Sequence, residues 1–337
     1  MGCGWWNSSG RRFASRTERS GVRSPLILGS RGSKLALWQA NFIKSSLERQ
    51  RPIEVRIETI RTTGDKITDV PLATVGGTKA LFTKEIEEAL LAARIDLAVH
   101  SLKDLPTYLP EGLMLAAIPA REDARDALIS RHGERWNQLP AGARVGTSSL
   151  RRQVQLRRLR KDLVIEPLRG NLDTRLRKLD EGQYDAVVVA QAGLKRMGWA
   201  DRATQVFSVE EMLPAIGQGA LAIETRADDE ELLAGLDGLR DPETEAAITA
   251  ERAFLARLGG GCQVPLAGYA QVKGERLRLK GVIVSTDGEQ AVEGSEEGAA
   301  SEAEAIGKAL AERLLKQGAA EILAAITAGA VRPPGSA

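Results

Sequence analysis

The chain is poor in sulfur and in imidazole: its 337 residues include two cysteines, Cys3 and Cys262, and two histidines, His100 and His132. Two cysteines so far apart make no disulfide framework and have no metal-ligand spacing, so a reducing compartment, the cytoplasm, is expected. A histidine-rich metal site or a serine-histidine-acid triad has too little material here. Aromatic residues make up 4% of the chain, which argues against base stacking on nucleic acid. No apolar run approaches the ~18 residues of a membrane span, so no membrane partner is expected. Chemistry must then rest on carboxylates, lysines, arginines or a thiol.

What is present is an apolar fraction of 43%, ordinary for a globular protein, over a length sufficient for two or three domains. The net charge is only +2, but residues 144–178 hold eleven Lys or Arg against three acids, while 224–251 hold ten acids against two arginines. The first of these regions is suited to an anion. Residues 1–24 are rich in Arg and Ser, carry one acid, and lack the apolar centre of a secretory signal. They read as a disordered extension, with an organellar targeting segment as the alternative. Trp6 stands where an N-myristoylation motif requires Ser or Thr.

"LILGSRGSKLALWQANF" reads as a strand, a Gly-Ser-Arg turn and a helix with Ser33 at its N-cap and Leu35, Trp38 and Phe42 on one face. "ARVGTSSLRRQVQLRRL" repeats the design from Ala143, with Thr147, Ser148 and Ser149 in the turn. Strand "IEVRIETI" and helix "FTKEIEEALLAARIDLAVHS" are likewise echoed by "LVIEPLR" and "TRLRKLDEGQYDAVVVAQAG". The expected architecture is α/β, with two β-α-β-α-β units facing each other across a cleft. Ligands of such sheets sit beyond the carboxyl ends of the strands. "PAREDARDAL" carries the chain from the first unit into the second, and "LPAIGQGALAIETR" brings it back, with Ala220–Ile223 rejoining the first sheet. Asp241-Pro242 supplies an N-cap and a proline at N1 for a helix that ends at "LGGGC". Strands near 265–272 and 276–285 and an alanine-rich helix over about 300–327 complete a smaller α+β domain. The expected division is 25–120 with 217–238, then 124–214, then 239–330.

Three stretches carry chemistry. In "LGGGCQVP" three glycines strip bulk from around Cys262, which suits a thiol that something large must reach; the plainer reading is a small residue in a tight turn. "DLAVHSLKDLP" sets Lys103 beside Asp104 at a strand end facing the cleft, where a carboxylate can stabilise a cation or move a proton; a surface ion pair is the plainer reading. His100 reads as a packed strand residue. Arg31, Arg151, Arg152, Arg169, Arg175 and Arg196 fall in strand-end turns or first helical turns. There a positive side chain opposes the helix macrodipole and calls for an anion. Arg157, Arg158 and Arg160 read as solvent-facing.

The stretches "GSRGSKLALWQA", "DLAVHSLKDLP", "VGTSSLRRQ", "LRGNLDTRL", "AQAGLKRMG", "LPAIGQGALAIE" and "GGGCQVP" together resemble the hydroxymethylbilane synthase (porphobilinogen deaminase) family, in order, over about 25–330. The resemblance implies a transferase of heme biosynthesis with two periplasmic-binding-protein-like domains and a smaller third. It implies a dipyrromethane cofactor on Cys262, onto which four porphobilinogen molecules are deaminated and condensed before hydrolysis releases the linear tetrapyrrole. Every pyrrole of that chain bears an acetate and a propionate, which gives the arginines their polyanion. The catalytic aspartate of the family maps to Asp104, whose carboxylate stabilises the cation left by loss of ammonia. Cofactor- and substrate-binding roles map to Arg31, Ser33, Gln39, Lys79, Lys103, Thr147, Ser148, Ser149, Arg151, Arg152, Arg169, Arg175 and Arg196. The resemblance also implies a monomer. The chain departs from the family at Thr74, where lysine is common, and over Gly76 to Ala80, which bears on the register of Lys79 and on the loop of about 61–78. A solute-binding protein accounts for the cleft but not for the Lys103-Asp104 pair or the GGGC loop. A nucleic-acid binder accounts only for the basic helix.

Overall fold

The computed structural model describes residues 25–66, 79–259 and 264–330. Two five-stranded sheets of the same design are joined by two chain crossings, and a three-stranded sheet follows. In the first sheet β1 (Leu26–Ser30), β2 (Val55–Thr59) and β3 (Leu97–Ser101) are parallel, in the order β2-β1-β3. The parallel pairings are bridged by α1 (Lys34–Gln50), a short α2 (Thr63–Lys66) and α3 (Lys84–Leu91). β4 (Leu113–Ala117) then closes the edge, and residues 118–125 cross to the second sheet.

There β5 (Asp126–Ser130) runs antiparallel to its neighbour β8, and β6 (Arg144–Gly146), β7 (Val164–Glu166) and β8 (Ala186–Ala190) repeat the parallel trio in the order β7-β6-β8. The helices between them are α4 (Leu150–Leu159) and α5 (Leu172–Asp180), and α6 (Gln191–Arg196) leaves the end of β8. After the two-residue β9 (Gln205–Val206) the chain crosses back, and β10 (Leu221–Arg226) enters the first sheet between β3 and β4, with Ala222 opposite His100. Each sheet thus takes its central antiparallel strand from chain that has just crossed, so the crossings are held by strand hydrogen bonds on both sides.

Ser33 caps α1 as the sequence indicates, its hydroxyl accepting from the Ala36 N–H at 3.2 Å. The buried face of α1 is a different one from that marked by its aromatics. Ala40, Ile43 and Leu47 enter the core, while Trp38 and Phe42 are 37% and 41% exposed and stack on each other at 5.5 Å. Smaller aliphatic side chains fit the short distance to the sheet, and the large rings are left outside.

After α7 (Glu230–Leu236), Asp241 caps α8 (Pro242–Arg257) through the Thr244 N–H at 2.8 Å, with Pro242 in the first turn. The third sheet has three strands, not two: β11 (Leu266–Lys273), β12 (Arg276–Val284) and β13 (Ala291–Ala299). β13 pairs with β12 over its whole length. Its sequence, "AVEGSEEGA", has too little apolar alternation to announce a strand. The expected helix over about 300–327 is two, α9 (Ala303–Leu314) and α10 (Ala320–Ala330), separated where Gly318 takes a φ of 109°. α8 and α9 pack closely because Gly307 meets the Ala250 carbonyl, where a Cβ has no room. Among the described residues no helix is long and apolar enough to cross a membrane.

Candidate active site

The proposed binding residues follow the carboxyl ends of parallel strands, where wound sheets hold their ligands. Arg31 and Ser33 follow β1, Lys103 and Asp104 follow β3, and Thr147 to Arg152 follow β6. Arg169 follows β7 and leads to Arg175 on α5, and Arg196 ends α6 beyond β8. The two units meet where their crossings pass, and the cations of the second unit converge on the turn of the first that carries Lys103 and Asp104.

At the centre of that junction lies Asp126, fully buried at the start of β5. Its Oδ2 accepts from Arg151 Nη1 at 2.7 Å, and its Oδ1 accepts from Arg152 Nε at 2.9 Å and Nη2 at 2.7 Å. Arg151 and Arg152 also donate to the carbonyls of Leu213 and Val188, at 2.8 and 3.1 Å. Burial by itself pushes the Asp126 carboxyl up. The two guanidiniums more than reverse this and hold it well below the usual carboxylate range. The anion that Arg151 and Arg152 call for is therefore supplied within the chain. Asp126 thus occupies part of both forks, while Arg151 Nε is buried without a hydrogen-bond partner among the described residues.

Gln218, on the returning crossing, donates to Asp126 Oδ1 at 2.9 Å and to the Ala124 carbonyl at 2.7 Å. Its Oε1 lies 3.4 Å from Arg152 Nη2 and 3.5 Å from Lys103 Nζ. Burial pushes the Lys103 ammonium down to about 8, against the pull of Asp104 and with Arg152 adding to the depression. Burial pushes Arg175 down to about 10, with Arg152 and Arg169 acting the same way and Asp104 opposing. Asp104 is half-buried in the 3₁₀ turn after β3 and receives no hydrogen bond from a described residue. Among the described residues Lys103, Arg151, Arg152 and Arg175 thus stand against Asp104 and Asp126, and such a preponderance of positive charge favours a ligand with several carboxylates.

The other site residues lie around this centre. Gln39 is buried and donates to Ser101 Oγ at 2.8 Å, tying α1 to the end of β3. Arg31 pairs with Asp65 and lies 4.5 Å over the Phe82 ring, so an acid of its own unit already occupies part of its fork. Thr147 is buried, Ser148 donates to the Leu168 carbonyl at 2.9 Å, and Ser149 stands at the N-cap of α4 without a side-chain cap bond. Arg175 Nε donates to the Gly170 carbonyl at 2.8 Å. Arg196 is buried, donates to the Gly219 carbonyl at 2.6 Å, and is pushed down to about 10 by burial. Lys79 opens a 3₁₀ turn, Lys79–Phe82. Cys262, with Gly260 and Gly261, and Thr74 to Thr78 fall outside the described residues, whereas Gly259, the last described residue before them, takes a left-handed φ of 83°. His100 is a buried strand residue with Nε2 3.0 Å from Glu224. Arg158 is exposed, but Arg160 is half-buried, pairing with Asp162 and donating to the Trp136 and Leu139 carbonyls.

The third domain fastens onto the same crossings. Glu251 of α8, fully buried, accepts from Arg121 Nη1 at 2.6 Å, the Gly217 N–H at 2.7 Å and the Ala270 N–H at 2.9 Å. Arg121 Nε in turn donates to the Gln218 carbonyl at 2.8 Å. Asp126, Gln218, Arg121 and Glu251 were not singled out by sequence. The signal available was the placement of Gln218 between two glycines in "IGQGA".

Residues 26–234 match the family description "Porphobilinogen deaminase, dipyromethane cofactor binding domain", and residues 246–316 match "Porphobilinogen deaminase, C-terminal domain". The chain belongs to the porphobilinogen deaminase family. It is a transferase of tetrapyrrole biosynthesis whose larger part is a dipyrromethane cofactor-binding region. Among relatives, the porphobilinogen deaminase of Geotalea uraniireducens (strain Rf4) is 53% identical over 302 residues, 89% of this chain and 94% of that protein. That of Syntrophus aciditrophicus (strain SB) is 54% identical over 86% of this chain and 95% of its own length. The relative from Roseiflexus sp. (strain RS-1) is 52% identical, aligned over 90% of this chain and all of its own.

Proposed function

We propose that this member deaminates four porphobilinogen molecules and joins them head to tail on a dipyrromethane anchored at Cys262, then releases the linear tetrapyrrole by hydrolysis. The observation that carries the reading is the junction itself, where among the described residues Lys103, Arg151, Arg152 and Arg175 face Asp104 and Asp126, and Lys103 and Arg175 are pulled below their ordinary basicity by burial. Such groups regain favourable energy when an anion approaches, and the acetates and propionates of pyrroles are anions of that kind. Lys103, Arg169 and Arg175 would hold the ring carboxylates, with Arg151 and Arg152 kept in place by Asp126. Arg31, Ser33, Gln39, Lys79, Thr147, Ser148, Ser149 and Arg196 would complete the walls. When bound, the dipyrromethane supplies the free α-carbon that accepts an incoming pyrrole.

Asp104 is the proposed catalytic residue. Loss of ammonia from the aminomethyl group leaves positive charge on the substrate pyrrole, and a carboxylate with no competing hydrogen bond from the described residues can lie against the pyrrole N–H, stabilise that charge and take up a proton. The ranges 25–120 with 217–238, 124–214 and 239–330 are proposed as working domains of a cytoplasmic monomer that needs neither nucleic acid nor membrane. Intact mass of the purified chain tests the reading. A two-pyrrole adduct is expected, absent from Cys262→Ser and retained in Cys3→Ser. A Cys262→Ser protein that keeps both adduct and turnover would overturn the anchor.

A further inference from the structure

Gln218 is a neutral, fully buried side chain at the point where the charges of the two units meet. It sits between Gly217 and Gly219, whose φ values of 73° and 89° are left-handed. A Cβ on Gly217 would meet the Leu102 side chain and lie 3.2 Å from the Lys103 backbone nitrogen, and one on Gly219 would meet the Glu122 carbonyl. The backbone is therefore clamped against the Lys103 turn on one side and the outgoing crossing on the other. The orientation of the amide follows from its partners. The Ala124 carbonyl and the Asp126 carboxylate only accept, so the amide nitrogen faces them and its oxygen faces Arg152 and Lys103, which only donate.

We propose that Gln218 is a positioning residue for the condensation, holding the Lys103 ammonium of the first unit in register with the Asp126–Arg152 pair of the second through the two ends of one amide. An apolar side chain there would leave Lys103 facing Arg151 and Arg152 without the acceptor. A glutamate would set a second carboxylate against Asp126. A neutral group with a donor end and an acceptor end satisfies both neighbours. The inference rests on the reading of this junction as the condensation site.

The test is Lys103 itself, followed by pH-dependent acetylation of the purified full-length chain and peptide mass analysis. Lys103 faces Asp104 on its own turn, Arg151 and Arg152 on α4 and Asp126 on β5, and none of these charges changes in Gln218→Met. The wild-type labelling midpoint is expected near 8. Loss of the acceptor should lower it by about half a pH unit or more and move the alkaline limb of the kcat/KM profile the same way. Gln218→Asn, too short to reach Lys103, should do likewise and serves if the methionine variant does not fold. Gln155→Met is the structural control: Gln155 bonds the Leu213 backbone N–H and carbonyl at 2.8 and 3.1 Å, bracing the same crossing without touching Lys103. It should lower the unfolding temperature and leave the midpoint in place. A wild-type midpoint in both Gln218 variants, or an equal shift in Gln155→Met, would overturn the assignment. Intact mass of the same samples reads the cofactor separately, so failure of the condensation reading is distinguishable from failure of this one.

Discussion

Asp126→Asn removes one negative charge from the most enclosed ionic cluster of the junction while keeping the size of the side chain. In the structure that carboxylate accepts three hydrogen bonds from Arg151 and Arg152 and one from Gln218, and the two arginines are 6% and 4% exposed. The asparagine would present an NH2 to a guanidinium and leave two buried cations without their hydrogen-bonded counter-ion. Removing one partner of a buried pair costs about 3–5 kcal/mol, several times the value of a surface pair. The pH dependence adds a second constraint. Burial raises the Asp126 carboxyl, but the guanidiniums and Gln218 lower it further, so its folded pKa lies below the unfolded one. Its stabilisation is complete above the ordinary carboxylate pKa and is lost as pH falls through and below that value. Urea unfolding followed by far-UV circular dichroism at pH 7, 5 and 3 should show a variant about 3–5 kcal/mol weaker at pH 7, with the gap narrowing on acidification. A loss under ~1 kcal/mol at pH 7, the scale of an exposed pair, would refute the claim that Asp126 neutralises the arginines. So would a gap that stays constant across the three pH values.

Two further outcomes can be checked on the same terms. Asp104→Asn should fold with less than ~1 kcal/mol change, because no described group bonds to that carboxylate, yet lower turnover on the order of 100- to 1000-fold. Single-turnover release of ammonia measures it, and a near-wild-type rate would remove Asp104 from the mechanism. Gly219→Ala forces a Cβ into the Glu122 carbonyl at a φ of 89° and 3.2 Å from Ala124 Cα. The urea midpoint should fall by the equivalent of about 1–3 kcal/mol, and an unchanged midpoint would mean that the crossing is not clamped there.

Local signals were legible wherever they have local causes. Ser33 and Asp241 cap the helices their spacing indicates, because a cap hydrogen bond spans only three residues. The two wound units follow from repeated strand-turn-helix punctuation, and β10 returns to the first sheet because the apolar run after "GQGA" needs a buried strand position. β13 escaped because its pairing with β12, and not its own pattern, makes it a strand. Trp38 and Phe42 share a face as their spacing indicates, but helical spacing does not tell which face the sheet can admit.

The arginines show where local reading ends. Arg151 and Arg152 in the first turn of α4 oppose the helix dipole, and from that alone a compensating anion is required. What local physics leaves open is the supplier. Asp126 lies 25 residues before Arg151, inside "REDARDAL", where alternating charges look like a solvated linker. Only the topology buries it, since the crossing makes β5 the partner of β8 and sets Asp126 opposite Ala190, beneath the start of the helix that follows β6. Gln218 is 92 positions from that aspartate and reaches it because the second crossing runs beside the first. The charge excess of residues 144–178 is therefore partly neutralised from within. Arg175, drawn below its ordinary basicity by burial, is a cation of that region that a polycarboxylate ligand would answer, with Lys103 of the first unit beside it.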